Sequence, residues 1–178
     1  MALQSANASG RFGIVPRADA AAMAGLEFLE KLRDGLLPAP PFAEVTDIWI
    51  TEVERGRVVF EAMPAGRFLN PLGTVHGGWV TTVLDSAMGC AVHSVMERGQ
   101  AYTTVDMSVS FVRPVLPNTG VLRCEGKLIH SGKRIATSEG RMWDGAGKLI
   151  AHGSETCLVI EDARQNGEPP HPPAKATS

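Results

Sequence analysis

NPLGTVHGGWVTTVLDSAMGCAVHSVM, residues 70–96, is the stretch on which the fold turns. A polar turn runs into His76-Gly77-Gly78 and then into one long apolar segment. Val80, Val83, Leu84, Ala87, Ala91 and Val95 recur at helical spacing. Met88, Val92 and Met96 fill a second face, which predicts a helix that is apolar on most sides and buried. Asp85 interrupts that run. At about 100° per residue it lies beside Thr81, Met88 and Val92 rather than on a solvated face. A carboxylate is costly to bury without partners. Asp85 is therefore either bonded to a hydroxyl such as Thr81, Thr82 or Thr104, or held there for chemistry.

The residues just before the helix supply donors. The first turn of a helix has free N–H groups and a positive dipole end. Gly77 and Gly78 have no Cβ, so a ligand can approach their backbone closely. The Gly77 N–H fits a developing oxyanion, with His76 and Asn70 adding side-chain hydrogen bonds. The plainer alternative is a glycine turn with a polar cap. Gly77 and Asp85 are eight residues apart, about 12 Å along one helix. One carbonyl cannot meet both at about 3 Å. If they act together, they come from two chains, and a symmetric dimer carries two composite sites.

Working outward, residues 1–17 are small and polar, broken by Gly10, Gly13 and Pro16, and read as a loose arm. Asp19 caps a helix expected over 18–35, with Leu26, Leu29 and Leu32 on one stripe. Gly35 fits its stop, and Pro38, Pro40 and Pro41 prevent continuation. Residues 45–53 and 57–63 read as strands around an Arg55-Gly56 turn. An irregular loop covers 64–73, and the long helix is expected to end near Arg98-Gly99.

Strands dominate afterwards. Thr103, Val105, Met107, Val109 and Phe111 alternate with polar residues, the pattern of a half-buried strand. Arg113-Pro114 ends it. Residues 121–130 and 134–143 join through Ser131-Gly132-Lys133, and 148–160 form the last strand. The order predicts an α+β fold, one antiparallel sheet wrapped around one long central helix, with an extra N-terminal helix. One domain over 18–160 follows, with a Pro-rich disordered tail at 161–178.

A chain of 178 residues can bury a substantial core. Its net charge of −2 suggests no nucleic-acid surface. Cys90, Cys124 and Cys157 stand alone in apolar stretches and read as reduced core residues of a cytoplasmic protein. No CxxC or HxH pair is present, so no metal is expected. No apolar run reaches membrane-spanning length, and the N-terminus lacks a signal-peptide pattern.

Asn70, its spacing to His76-Gly77-Gly78, and Asp85 seven residues beyond Gly78 resemble the PaaI-type acyl-CoA thioesterases of the hotdog-fold superfamily. So does TTVDMSVSFVRPV at 103–115, and the resemblance spans about residues 42–160. It implies the hotdog fold and hydrolysis of acyl-CoA to free acid and CoA, with CoA as substrate and no cofactor. It implies a homodimer, or a dimer of dimers. Asp85 is then the general base for water or the nucleophile, and the Gly77 N–H the donor to the carbonyl. His76 polarises the thioester or orients Asn70 and the loop.

Thr104 matches a position where a hydroxyl helps hold the water. Strict alternation, however, faces Thr103 to the helix. A bulge near the strand start would exchange the two. Gly78, Arg113, Ser131, Gly132, Lys133 and Arg134 are candidates for the CoA moiety, the cations and turn donors suiting its phosphates. Two other readings share the fold: a hydratase or dehydratase of β-hydroxyacyl thioesters, and a module that binds acyl-CoA without turnover.

Overall fold

The computed structural model describes residues 12–161. Short helices α1 (Arg17–Ala21), α2 (Gly25–Arg33) and α3 (Pro41–Thr46) precede β1 (Ile48–Glu54) and β2 (Arg57–Ala62). A 3₁₀ turn at Gly66–Phe68 leads to α4 (Gly77–His93). Strands β3 (Gln100–Phe111), β4 (Leu122–Ser131), β5 (Ile135–Trp143) and β6 (Leu149–Glu161) follow. All strand pairs are antiparallel, in the order β1-β2-β4-β5-β6-β3. The sheet wraps α4, whose Val83, Leu84, Ala87 and Met88 are wholly buried against Val58, Leu122, Cys124 and Met142. Burying each large side chain of this kind contributes about 1.5–3 kcal/mol.

The helix lies unusually close to the sheet. Gly126, Gly140 and Gly153 occupy one row across β4, β5 and β6. A Cβ on Gly126 would land on the Ala87 carbonyl, and one on Gly140 would sit 2.7 Å from Met88 Cγ. Only glycine lets the backbones meet there. Gly126→Ala forces α4 outward, and we expect a loss of about 2–3 kcal/mol, on the order of 5–10 °C in Tm, measured by thermal melting.

The N-terminal region differs from the single helix expected over 18–35. It is two helices broken at residues 22–24, and Asp19 lies inside α1, with Pro16 at the cap position. The break has a tertiary cause. The Gly25 N–H bonds Met96 O at 2.9 Å, and Gly25 is pressed against the His93 carbonyl. Of the expected arm, residues 1–11 lie outside the described residues, but the Gly13 N–H bonds Ala39 O at 2.9 Å. The tail expected from Glu161 lies outside them from residue 162 onward, Glu161 itself closing β6.

Two further boundaries move. Residues 41–46, of which 45 and 46 were expected in a strand, are helical, because Pro41 stands at a helix start, where a missing N–H costs nothing. Thr46 Oγ1 donates to Phe42 O at 2.7 Å, and Asp47 at φ 53° closes the turn before β1. The long helix stops at His93 rather than near Arg98-Gly99. Ser94 caps it, donating through Oγ to Ala91 O at 2.7 Å and accepting from the Gly56 N–H at 2.7 Å.

Candidate functional site

β1 and β3 are the two ends of the sheet. α4 turns Asp85, Ser86 and Cys90 towards a cavity of about 280 Å³ that both strands line. Leu32, Pro40, Phe42 and Ala43, from α2, α3 and the segment between them, wall it together with Ile48, Trp49, Ile50 and Phe60. Tyr102 and Thr104 of β3 complete the lining. Asp85 is therefore a half-buried carboxylate at an apolar chamber. Burial raises its pKa. Thr104 Oγ1 lies 3.3 Å from Asp85 Oδ1, so Thr104, not Thr81 or Thr82, is the hydroxyl beside it.

A bulge makes this contact. The β3–β6 register slips between Thr104 and Asp106, so Val105 is the extra residue. Tyr102 and Thr104 face the helix before it, and Met107 and Val109 after it. Thr103 and Val105, expected on the helix side by unbroken alternation, are exposed. The space beside Gly89 is taken by Tyr102, whose hydroxyl would be 2.7 Å from an added Cβ.

At the other end of α4, His76 is the N-cap, its Nδ1 accepting from the Gly78 N–H at 2.9 Å. That N–H is thus engaged by the protein. Gly77 is the first residue of the helix, where N–H groups have no intrahelical partner. The Phe111 ring stands over it, 3.2 Å from where a Cβ would be. Asn70 organises the preceding loop. Its Oδ1 accepts from the N–H of Leu72 at 2.9 Å and of Thr74 at 3.3 Å, and its Nδ2 donates to Thr74 Oγ1 at 2.7 Å. Trp79 belongs to the core, donating through Nε1 to Thr46 O at 2.8 Å and stacked on Phe68.

One chain thus brings Asp85 and Thr104 together, and separately groups Asn70, His76 and Gly77. It does not join the two sets, which are divided by two turns of α4. The expected CoA-binding residues are also apart. Ser131 ends β4, and Gly132, Lys133 and Arg134 form the β4–β5 turn, where the Gly132 N–H already bonds Ile135 O at 2.8 Å. Arg113 lies past the far end of β3 and donates to Leu149 O.

Sequence reasoning missed Glu155. It is 2% exposed, and its Oε1 accepts from Thr104 Oγ1 at 2.7 Å and Cys157 Sγ at 3.0 Å. The signal was present: in β6, Ala151, Cys157 and Val159 face inward, and Glu155 shares their parity.

Residues 72–151 match the model of the thioesterase superfamily. The human acyl-coenzyme A thioesterase 13 is 29% identical over 110 residues, 61% of this chain and 77% of that one. A Caenorhabditis elegans protein provisionally named an esterase is 30% identical over 118 residues, 64% of this chain and 67% of its own. Among solved structures, a phenylacetic acid degradation-related protein of Ralstonia eutropha JMP134 superposes with a TM-score of 0.67. It is 28% identical and covers 74% of this chain and 98% of its own. With its sheet wrapped on α4, Asp85 facing the chamber and these relatives, the chain belongs to the thioesterase superfamily, as a thioester hydrolase of hotdog fold.

Proposed function

We propose that the protein hydrolyses acyl-CoA to the free acid and CoA, with Asp85 as general base for water. The observation that carries this is the Asp85 carboxylate lining an apolar chamber with the Thr104 hydroxyl beside it. An apolar acyl group fits a chamber walled by Leu32, Phe42, Trp49, Ile50 and Phe60. Asp85 takes a proton from water as the oxygen attacks the thioester carbonyl. The tetrahedral oxyanion needs a donor, which the Gly77 N–H of a second chain supplies.

The exposed edge of β3 supports such pairing. β3 is twelve residues long and ends the sheet, with Val105 and Phe111 more than half exposed. Antiparallel pairing of two copies about an axis at Ser108 sets Met107 against Val109 of the partner subunit. The bulge takes up one residue, so Thr104 comes level with Phe111 of the partner subunit. Phe111 is the residue that touches Gly77. Base and donor then meet at each end of the joined strands, in a homodimer that can pair again as a dimer of dimers. Lys133 and Arg134, in the turn beside the Thr103 end of β3, suit the CoA phosphates, and Arg113 of the partner subunit approaches that same end.

The test is free-thiol release from a panel of acyl-CoA esters, short, long and aromatic. We expect thiol and acid in equal amounts, with no hydration of an enoyl-CoA. Absence of thiol release across the panel overturns this reading, and an absorbance change with enoyl-CoA replaces it by the hydratase one.

A further inference from the structure

Glu155 stands behind Thr104, out of reach of substrate. It lies on β6 opposite Ser138 of β5 and Met107 of β3. It is the one charged residue among the fully buried side chains described. Its Oε2 and Ser138 Oγ have no protein partner. Burying a carboxyl with half its acceptors idle is costly, and packing alone would be served by methionine or leucine. Its position therefore calls for a reason.

The hydroxyl geometry supplies one. Thr104 Oγ1 is 2.7 Å from Glu155 Oε1 and 3.3 Å from Asp85 Oδ1. A hydroxyl has one hydrogen and two lone pairs. The shorter bond takes the hydrogen, which leaves Thr104 an acceptor on the side of Asp85. A water that attacks a carbonyl must point a lone pair at carbon, so both its hydrogens need acceptors. Asp85 offers one and removes that proton; Thr104 offers the other through a lone pair, which the pull of Glu155 on its hydrogen turns towards the Asp85 side.

We propose that Glu155 is a positioning residue for hydrolysis: by taking the Thr104 hydrogen, it makes that hydroxyl the second acceptor for the attacking water. This rests on Asp85 being the base for water. The titratable groups facing Glu155 are Asp85 and Cys90 of α4, Tyr102 of β3 and Cys157 of β6, with no cation acting on it. Burial and the Asp85 charge hold its pKa above the usual glutamate value.

The experiment compares kcat, KM and pH profiles of Glu155→Gln, Glu155→Met, Thr104→Val, the Glu155→Met/Thr104→Val double variant and Asp85→Asn, each shown to fold by thermal melting. Glu155→Gln keeps an acceptor and should stay within about threefold of wild type. Glu155→Met should lower kcat on the order of tenfold at little change in KM, by loss of water positioning. Its freed Thr104 hydrogen then bonds Asp85, so the acid limb should move to lower pH. The double variant should be no slower than Thr104→Val alone, because both changes remove one device.

Wild-type kcat in Glu155→Met, multiplicative losses in the double variant, or a tenfold loss in Glu155→Gln each overturns the proposal. Glu155→Leu replaces Met if the latter does not fold. An active Asp85→Asn instead overturns the reading beneath it.

Discussion

Asp85→Asn lowers kcat for acyl-CoA hydrolysis by about 10²-fold or more, the contribution expected of a positioned general base. The amide keeps the size of the carboxyl and can still meet Thr104, so the melting temperature should hold or rise, a half-buried charge having been removed. KM should change little, because the proposed binding contacts lie in the apolar chamber and at the CoA moiety. Wild-type activity carries the complementary signature. As the proposed general base Asp85 must act as the carboxylate, and burial holds its pKa above that of an ordinary aspartate. Activity is therefore lost as pH falls through a value higher than the usual ~3.9, which the acid limb of kcat/KM reads directly. A variant with near wild-type kcat removes Asp85 from the chemistry.

The second large effect is recovery of activity from two inactive chains. Gly77→Pro removes the proposed donor N–H. Proline is well tolerated at the first position of a helix, and His76 before it is already extended, at φ −61° and ψ 134°, as a following proline requires. A Cβ at this position meets first the Phe111 ring, whose residue is more than half exposed. Alone, this variant should lose about 10²–10³-fold in kcat, the cost of one oxyanion donor. Mixed with Asp85→Asn after mild dissociation, it should form heterodimers in which one site has both intact halves and the other neither. Each heterodimer then carries half of wild-type activity, and a random mixture about one quarter. Inactive heterodimers, once their formation is verified, would place base and donor in one chain or make them independent.

The long helix and the strands after it were legible because their apolar periods are long and clean, 3.6 residues for α4 and two for β3 to β6. The two N-terminal departures arose where tertiary contact or local geometry overrides pattern. The break before Gly25 is set by contacts with His93 and Met96 at the end of α4, far along the chain and invisible to any window. Pro40-Pro41 signals a stop and a start equally well, and only the start at Pro41 is realised. In the site, Asp85 announced itself as a charge in an apolar run. Thr104 was ambiguous with Thr103, since a single-residue bulge reverses every face assignment downstream of it. Glu155 lay in a strand whose alternation marked it as inward, yet its partner is fifty-one residues distant, and pairing of that range leaves no local trace.

The glycine row under α4 separates two properties that enzymes commonly entangle. Ala87 and Met88, just past Asp85, rest on the sheet through close backbone approach, so the height of the carboxylate above the sheet is set by main chain and barely by side-chain choice. Most of the apolar chamber wall is drawn from residues 32–50, a different part of the chain, with Phe60 added from β2. Exchanges at Leu32, Phe42 or Ile50 can therefore reshape the acyl preference while the reactive geometry stays fixed. The fold is in that sense a chassis with a replaceable wall, and a selection for new substrates should collect its mutations in that wall and leave Gly126 and Gly140 alone.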